Sequence, residues 1–188
     1  MRGVGGVEAV LAGMDRHYKD YFVQQEGCGA IINFCSGNAA NRQAVLDADG
    51  VRIIVQAIHE HPEQPRPQER CIGALANLGE DPRAKVEVLE VDGIEAVLES
   101  MARLPGEKTV IQYGLAALSS LAVGSDPTKD HIKGSGGIDT LVKMVSDFDD
   151  EEIATAVLGA IWATTTGHGM VSSWYGCLFC RRRRKPPC

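Results

Sequence analysis

Two short motifs recur along this chain with one common period, and that period constrains the fold more than any other feature. A glycine followed by valine or isoleucine returns after 44, 43 and 44 residues, at Gly6, Gly50, Gly93 and Gly137. A motif of the type Gly-Ala-Leu-Ala-Asn-Leu keeps the same period and begins at Gly29, Gly73, Ala116 and Gly159. Periods of this length are typical of helical solenoids, in which each unit packs only on its neighbours. The sequence therefore predicts an all-α solenoid of about four units.

Each unit contains two longer helices and one short helix. In the second unit, apolar residues recur at helical spacing after Gly50 until the prolines between His61 and Pro67 interrupt the pattern. A second long helix is predicted from Glu69, and the pair Asp81-Pro82 predicts the start of a short one. We expect the turn glycines to take a positive φ, which glycine adopts without a Cβ clash. The predicted units lie near residues 6–49, 50–92, 93–136 and 137–169.

The distribution of charge is uneven. Five of the 19 Lys and Arg residues lie in 181–185, which leaves 14 basic against 25 acidic residues in 1–180, a net charge of −11. An acidic body of this kind repels nucleic acid, so we expect no nucleic-acid partner. It favours a protein or peptide partner of basic character.

The cysteines in the repeats are predicted to be structural. Cys28, Cys35 and Cys71 fall within helical patterns, where a free cysteine behaves as a small apolar side chain. Their spacing does not indicate a disulfide framework, so we expect free thiols and a reducing compartment. This expectation favours a cytoplasmic protein.

The repeats resemble those of the armadillo family. The family's Gly-Gly-Ile-x-x-Leu-Val opening of the second helix matches residues 136–142, and its Gly-Ala-Leu-x-Asn-Leu third-helix signature matches residues 73–78. The similarity covers residues 6–166. HEAT repeats have a similar length, but the turn glycine before the second helix favours armadillo. The resemblance implies a right-handed superhelix whose third helices line a concave groove, with residues 170–188 as an irregular basic, cysteine-containing tail.

The resemblance also implies a set of groove residues. The family's groove asparagine, which binds the main chain of an extended peptide, corresponds to Asn33 and Asn77, while Ser120 and Ala163 occupy that position in the later units. A polar stripe is predicted two helical turns earlier, at Gln25, Glu69, Gln112 and Thr155. The predicted partner-binding residues are Gln25, Asn33, Glu69, Asn77, Gln112 and Ser120. The alternative is that the asparagines only join neighbouring repeats by hydrogen bonds. The tryptophan of the importin-type subfamily is replaced by glycine or alanine, which disfavours a receptor for nuclear signals.

The tail has a composition unlike the repeats. Cys177 and Cys180 stand beside aromatic residues and the basic run Arg181–Lys185, as in palmitoylated polybasic membrane anchors. The basic run alone would also suit a nuclear localisation signal, and an irregular end without function is the third possibility. Membrane contact, if any, is predicted through this tail only.

No arrangement of residues in the sequence predicts catalysis. The pair His59 and His61 does not share a helix face, and Cys177-x-x-Cys180 lacks a second pair, so no metal site is predicted. Phosphate-binding loops and nucleophile motifs are missing from the sequence, and no cofactor is expected. Two functions are therefore proposed from the sequence: a non-catalytic module that binds a partner segment in the groove, and a membrane-tethered armadillo scaffold.

Overall fold

The fold is a right-handed all-α solenoid, as predicted. A computed structural model describes residues 4–147 and 151–166 of the chain, and these residues form eleven helices and no strand. The helices are of three kinds, which we call first, second and third helices. None of the helices in these two ranges combines the length and apolar character that crossing a membrane requires.

The three kinds of helix alternate along the chain. The short first helices are α3 (Ala39–Asp47), α6 (Pro82–Glu90) and α9 (Asp126–Gly134). The second helices are α1 (Val4–Arg16), α4 (Gly50–Glu60), α7 (Gly93–Arg103) and α10 (Gly137–Asp147). The third helices are α2 (Tyr21–Cys35), α5 (Pro65–Leu78), α8 (Lys108–Ala122) and α11 (Glu151–Thr166). Three second helices thus begin at the glycines that open the predicted units, whereas residues 170–188, the predicted tail, lie outside the described residues.

The short first helices begin where the sequence places capping residues. The Asp81 carboxylate accepts a hydrogen bond from the Arg83 amide at 2.9 Å, and the Asn38 side chain accepts one from the Asn41 amide at 3.1 Å. Ser125 caps α9 in the same way. These side chains bind amide groups that the first turn of a helix leaves without intrahelical partners. Capping and the following prolines therefore fix where α6 and α9 start.

The third helix α5 begins four residues earlier than predicted. It starts at Pro65 rather than at Glu69, so Pro65 and Pro67 lie in its first turn instead of in the preceding loop. The amides of a first turn have no carbonyl to bind within the helix, so proline loses nothing there. The helix break is consequently confined to the stretch just after His61.

The glycines that open the second helices serve a different purpose from the one predicted. The positive φ of each turn belongs to the preceding residue: Asp49 at 58°, Asp92 at 54° and Gly136 at 73°. A Cβ on Gly50 would lie 2.7 Å from the Val45 carbonyl oxygen, and one on Gly137 would lie 2.7 Å from that of Ile132. Glycine is therefore required because the end of each first helix packs against the start of the second helix without room for a side chain.

One contact repeats at each junction between units. The apolar side chains Leu11, Val55 and Leu98 each come within 3.3 Å of the place a Cβ would take on Gly50, Gly93 and Gly137 respectively. Leu98 is 7% exposed. Val142 holds the equivalent position in α10 and is 52% exposed among the described residues. The core is thus a strip that grows by the same contact with every unit.

Two cysteines that were predicted to be free are joined. Cys28 in α2 and Cys71 in α5 form a disulfide with Cα atoms 4.9 Å apart, so the expectation of free thiols is wrong for this pair. Cys28 stands one residue before Gly29, and Cys71 stands two residues before Gly73. The two cysteines therefore occupy positions that differ by one residue in their repeats. Cys35 is free and buried, as expected.

Candidate functional site

The third helices form one continuous row. α2 packs on α5, α5 on α8 and α8 on α11, while the first and second helices lie behind them. One side of each third helix is left partly exposed, and we call these sides together the inner face. The inner face is the surface on which the sequence places the groove residues.

Side chains in the asparagine position connect neighbouring third helices. Asn77 Nδ2 donates to the Ile32 carbonyl oxygen at 3.1 Å, and Ser120 Oγ donates to the Ala76 carbonyl oxygen at 2.9 Å. The acceptors hold equivalent places in their units, so the same bond occurs twice. Asn33 begins the row and is exposed. The structure thus contains the inter-repeat hydrogen bond that was the alternative interpretation of Asn77.

That bond leaves part of the Asn77 amide free. The side chain is half-buried, and its Oδ1 oxygen has no hydrogen-bond partner within residues 4–147 and 151–166. An amide group has two donor hydrogens and an acceptor oxygen, so one bond to Ile32 does not exhaust it. Asn77 can therefore join two repeats and still bind a peptide group in front of the inner face.

Two larger side chains cross the inner face from one helix to the one before. The place a Cβ would take on Gly29 lies 3.3 Å from Arg70 Nη1, so Arg70 lies across α2 at this glycine. The corresponding place on Gly73 lies 3.0 Å from Cδ1 and Cε1 of the Tyr113 ring, which crosses α5. The small residue of the third-helix motif therefore makes room for a long side chain of the next unit.

The predicted polar stripe lies deeper than these residues. Glu69 is 6% exposed and forms an ion pair with Arg66 at 3.4 Å. Gln25 and Gln112 are half-buried, and the Gln25 amide donates to the Glu26 carboxylate at 2.8 Å. Thr155 donates to the Glu151 carbonyl oxygen at 2.7 Å, within its own helix. The structure thus brings Asn77 and Ser120 into one row on the inner face and sets Glu69 beneath it.

Arg70 and Tyr113 are inner-face residues that the sequence interpretation missed. They precede the asparagine position by seven residues, whereas the predicted stripe precedes it by eight. At about 100° per residue, seven residues return to within about 20° of the starting direction and eight turn away from it by about 80°. The helical period therefore contained the signal that would have found both residues.

The local charge of the inner face differs from that of the whole chain. α5 contributes Arg66 and Arg70, and α8 contributes Lys108, which pairs with Glu152 at 3.3 Å. Acidic side chains at the same face, including Glu69 and Glu26, are engaged by neighbours. The net charge of −11 thus does not extend to this surface as a uniform acidic field.

The remaining predicted site residues belong to the tail. Cys177 and Cys180 lie outside the described residues, so their lipidation stays a prediction. Within residues 4–147 and 151–166, no group of three or more His, Cys, Asp or Glu side chains is arranged to hold a metal ion. The structure accordingly leaves the inner face as the candidate site.

Comparison with known proteins identifies relatives that are similar to most of this chain. No protein-family profile matches the chain. The Armadillo segment polarity protein of Drosophila melanogaster is 30% identical over 141 residues, and the Outer dynein arm-docking complex subunit 2 of Bos taurus is 24% identical over 150 residues. These alignments cover 73% and 77% of this chain but only 15% and 14% of the relatives. The chain therefore matches a small part of each relative.

Solved structures show the same architecture. An engineered protein superposes with a TM-score of 0.76 at 25% identity, over 87% of this chain and 64% of the other. A designed armadillo repeat protein, in complex with the peptide (KR)4, superposes with a TM-score of 0.75 at 19% identity, over 86% of this chain and 65% of the other. The 43–44-residue period, the helix order and these similarities lead to one conclusion: the chain belongs to the armadillo-repeat family.

Proposed function

We propose that this protein is a non-catalytic interaction module that binds an extended segment of another protein along the inner face. The observation that carries the proposal is the state of Asn77. Its side chain is held in place by the bond to the Ile32 carbonyl oxygen, yet its Oδ1 oxygen has no partner among the described residues. An amide that is held in place and whose oxygen still lacks a donor is suited to accept a hydrogen bond from the main-chain N–H of an extended peptide.

The fold supports the same proposal. The designed armadillo repeat protein with a similar fold forms a complex with the peptide (KR)4. An extended peptide has unpaired main-chain groups at every residue, and a row of polar side chains from successive helices can bind them at regular intervals. Asn33, Asn77 and Ser120 are the residues of this chain in such a row.

Substitution of Asn77 tests the proposal, provided that its two roles are separated. Asn77→Ser removes the amide but introduces a hydroxyl. In the next unit, the hydroxyl of Ser120 makes the inter-repeat bond from the equivalent position. We expect Asn77→Ser to leave the thermal midpoint nearly unchanged and to weaken peptide binding roughly 2- to 12-fold, the effect of one hydrogen bond of about 0.5–1.5 kcal/mol. Asn77→Ala should weaken binding similarly and also lower the thermal midpoint.

The measurement uses peptides selected on the wild-type protein from a random octapeptide library. Their affinities are then determined by fluorescence anisotropy for wild type, both Asn77 variants and Gln56→Ala, a control on the second helix α4. Unchanged affinity in Asn77→Ser, together with a loss in Gln56→Ala, would place binding away from the inner face. Failure to select any peptide would contradict the proposed function as a whole.

The finer features of the function rest on the sequence alone. A cytoplasmic location, a partner of basic character, and the alternative of a scaffold tethered to membranes through Cys177 and Cys180 stay predictions. The first of these rested on free thiols, and the disulfide between Cys28 and Cys71 removes that ground. A version of the protein that ends before Trp174 distinguishes the two functions. It should retain peptide binding in either case and lose membrane association only if the tail is an anchor.

A further inference from the structure

Arg70 occupies an unusual place on the inner face. It projects from α5 across the backbone of α2, where the place of a Cβ on Gly29 lies 3.3 Å from its Nη1, 3.8 Å from its Cδ and 3.9 Å from its Cζ. The side chain is half-buried. A Cβ at position 29 would require the guanidinium to move by a few tenths of an ångström, so Gly29 leaves the space in which Arg70 lies against α2. The side chain therefore contacts two neighbouring repeats.

The Arg70 guanidinium has no partner among the residues that the structure describes. Within residues 4–147 and 151–166 it makes no hydrogen bond or ion pair, and its Nε is buried without an acceptor. The acidic side chains nearest in sequence on the two helices are engaged elsewhere: Glu69 pairs with Arg66 at 3.4 Å, and Glu26 accepts from Gln25 at 2.8 Å. Arginine cannot lose its proton in a protein, so the charge cannot be removed by titration. A buried donor on a permanent cation that lacks an acceptor is costly unless something outside the chain supplies one.

We propose that Arg70 is a carboxylate-binding site, which takes an Asp or Glu side chain of the segment that binds along the inner face. The proposal rests on the proposed function and adds the chemistry of the ligand. A guanidinium has donors in a planar fork that matches the two oxygens of a carboxylate. Arg70 lies two turns before Asn77 on the same helix, about 10 Å away, so one bound segment can reach both.

The charge of the site favours a carboxylate over a phosphorylated side chain. A phosphate group carries nearly two negative charges and is usually bound by more than one cation. The next cation on α5, Arg66, is already paired with Glu69 and its side chain is 70% exposed. One unpaired guanidinium matches one carboxylate, so the predicted ligand contains an acidic residue whatever the charge of its other positions.

Peptide selection tests the proposal directly. A random octapeptide library is selected on the wild-type protein, on Arg70→Met, and on Arg103→Met as a control from the second helix α7, where Arg103 forms an exposed ion pair with Glu63. Methionine keeps an unbranched apolar stem in the space over Gly29 and removes the charge. We expect Asp or Glu to be enriched at one fixed position on wild type and on Arg103→Met, and the enrichment to disappear on Arg70→Met.

A double-mutant cycle assigns the contact to the pair. One selected peptide is compared with its Asp→Asn or Glu→Gln version on wild type and on Arg70→Met, by fluorescence anisotropy. Hydrogen bonds between charged groups are strong enough that either single change should weaken binding roughly 10-fold, and the two together should weaken it little further. Arg70→Lys, which keeps the charge without the planar fork, should recover only part of the affinity.

The outcomes separate this inference from the proposed function. Peptides selected without an acidic preference, or additive effects in the cycle, would overturn the carboxylate site and leave peptide binding intact. Failure to select any peptide would overturn both. If Arg70→Met does not give the circular dichroism spectrum of a folded helical protein, Arg70→Lys and the change on the peptide side decide the question without it.

Discussion

Gly93 shows at the scale of one residue how little space the turn between the first and second helices leaves. A Cβ at this position would lie 2.8 Å from Val88 Cγ1 and 3.1 Å from the Val88 carbonyl oxygen. We expect Gly93→Ala to lower the free energy of unfolding by about 1–3 kcal/mol, the usual cost of overpacking. Urea unfolding measures it. Gly134→Ala is the matched control, since its Cβ would meet nothing within 4 Å and alanine favours the helix, and equal stability of the two variants would contradict the packing argument.

Cys35 provides a second prediction at this scale. Burial raises the pKa of the Cys35 thiol from its ordinary value of 9.0 to about 11, although the positive charge of Arg42 acts to lower this pKa. Because the thiolate is the nucleophile, Cys35 should react far more slowly with iodoacetamide at pH 8 in the native protein than in urea. The unfolded chain releases this proton first, so the contribution of Cys35 to stability is complete below about pH 9 and is lost as the pH rises towards 11. Mass spectrometry measures the rate of Cys35 alkylation in the native protein and in urea. Equal rates in the two conditions would contradict the raised pKa.

Residue-level features were predictable where a local rule determines them. The capping roles of Asp81 and Ser125 followed from short-range hydrogen bonding, and the structure confirms both. The positive φ was assigned to the turn glycine, whereas Asp49 and Asp92 adopt it, because aspartate tolerates this conformation and the glycine is required by packing. The packing that requires glycine involves residues of another helix, so the sequence of the four-residue turn could not predict it.

At the scale of helices, the disulfide between α2 and α5 joins the first two third helices. It connects residues that are 43 apart, and closing a loop of that length removes chain entropy worth up to about 4 kcal/mol from the unfolded state. We therefore expect a reducing agent to lower the thermal midpoint of the protein. Scanning calorimetry with and without reductant measures the effect. Cys28→Ala should abolish the response to reductant and Cys35→Ala should retain it, whereas a midpoint that ignores reductant in the wild type would show that the bond contributes nothing.

The helices were predicted in kind and order, and two of their features were not. The start of α5 at Pro65 was hidden because proline is a helix breaker in the interior but is accepted in a first turn, and only the geometry of the turn distinguishes the cases. The pairing of Cys28 with Cys71 was hidden because the two occupy different positions in their repeats. The contact depends on how far one helix is rotated against the next, which a one-dimensional period does not contain.

At the scale of the whole molecule, equivalent positions should differ in energy according to their neighbours. Leu98 packs against the turn at Gly137, whereas Val142 holds the same position one unit later and is 52% exposed. We expect Leu98→Ala to lower the free energy of unfolding by about 2–4 kcal/mol and Val142→Ala to change it by less than about 0.5 kcal/mol. Urea unfolding of both variants tests the repeating contact. A loss of similar size in the two would mean that Val142 is covered in solution.

The architecture was predictable because a solenoid contains the same set of contacts several times. A sequence motif that would be weak evidence in one unit becomes strong evidence when it recurs in four. The inner face was less predictable for the opposite reason. Arg70, Tyr113 and Ala156 occupy one position in three successive units and share no chemistry. The core repeats because every unit must pack on the next, while the surface changes from unit to unit, so period alone locates the inner face without defining its ligand.

The disulfide gives the array a direction. Each unit is held mainly by its neighbours, so local opening starts at an end and passes inward one unit at a time. In the oxidised protein α2 cannot separate from α5, but among the described residues nothing covalent holds α11 to α8. Among the described helices, opening should therefore proceed from α11 towards α5, and amide hydrogen exchange should be fastest in α11 and slowest in α2 and α5. A ligand that bridges α8 and α11 would then slow this opening, because it would join two helices that no disulfide connects.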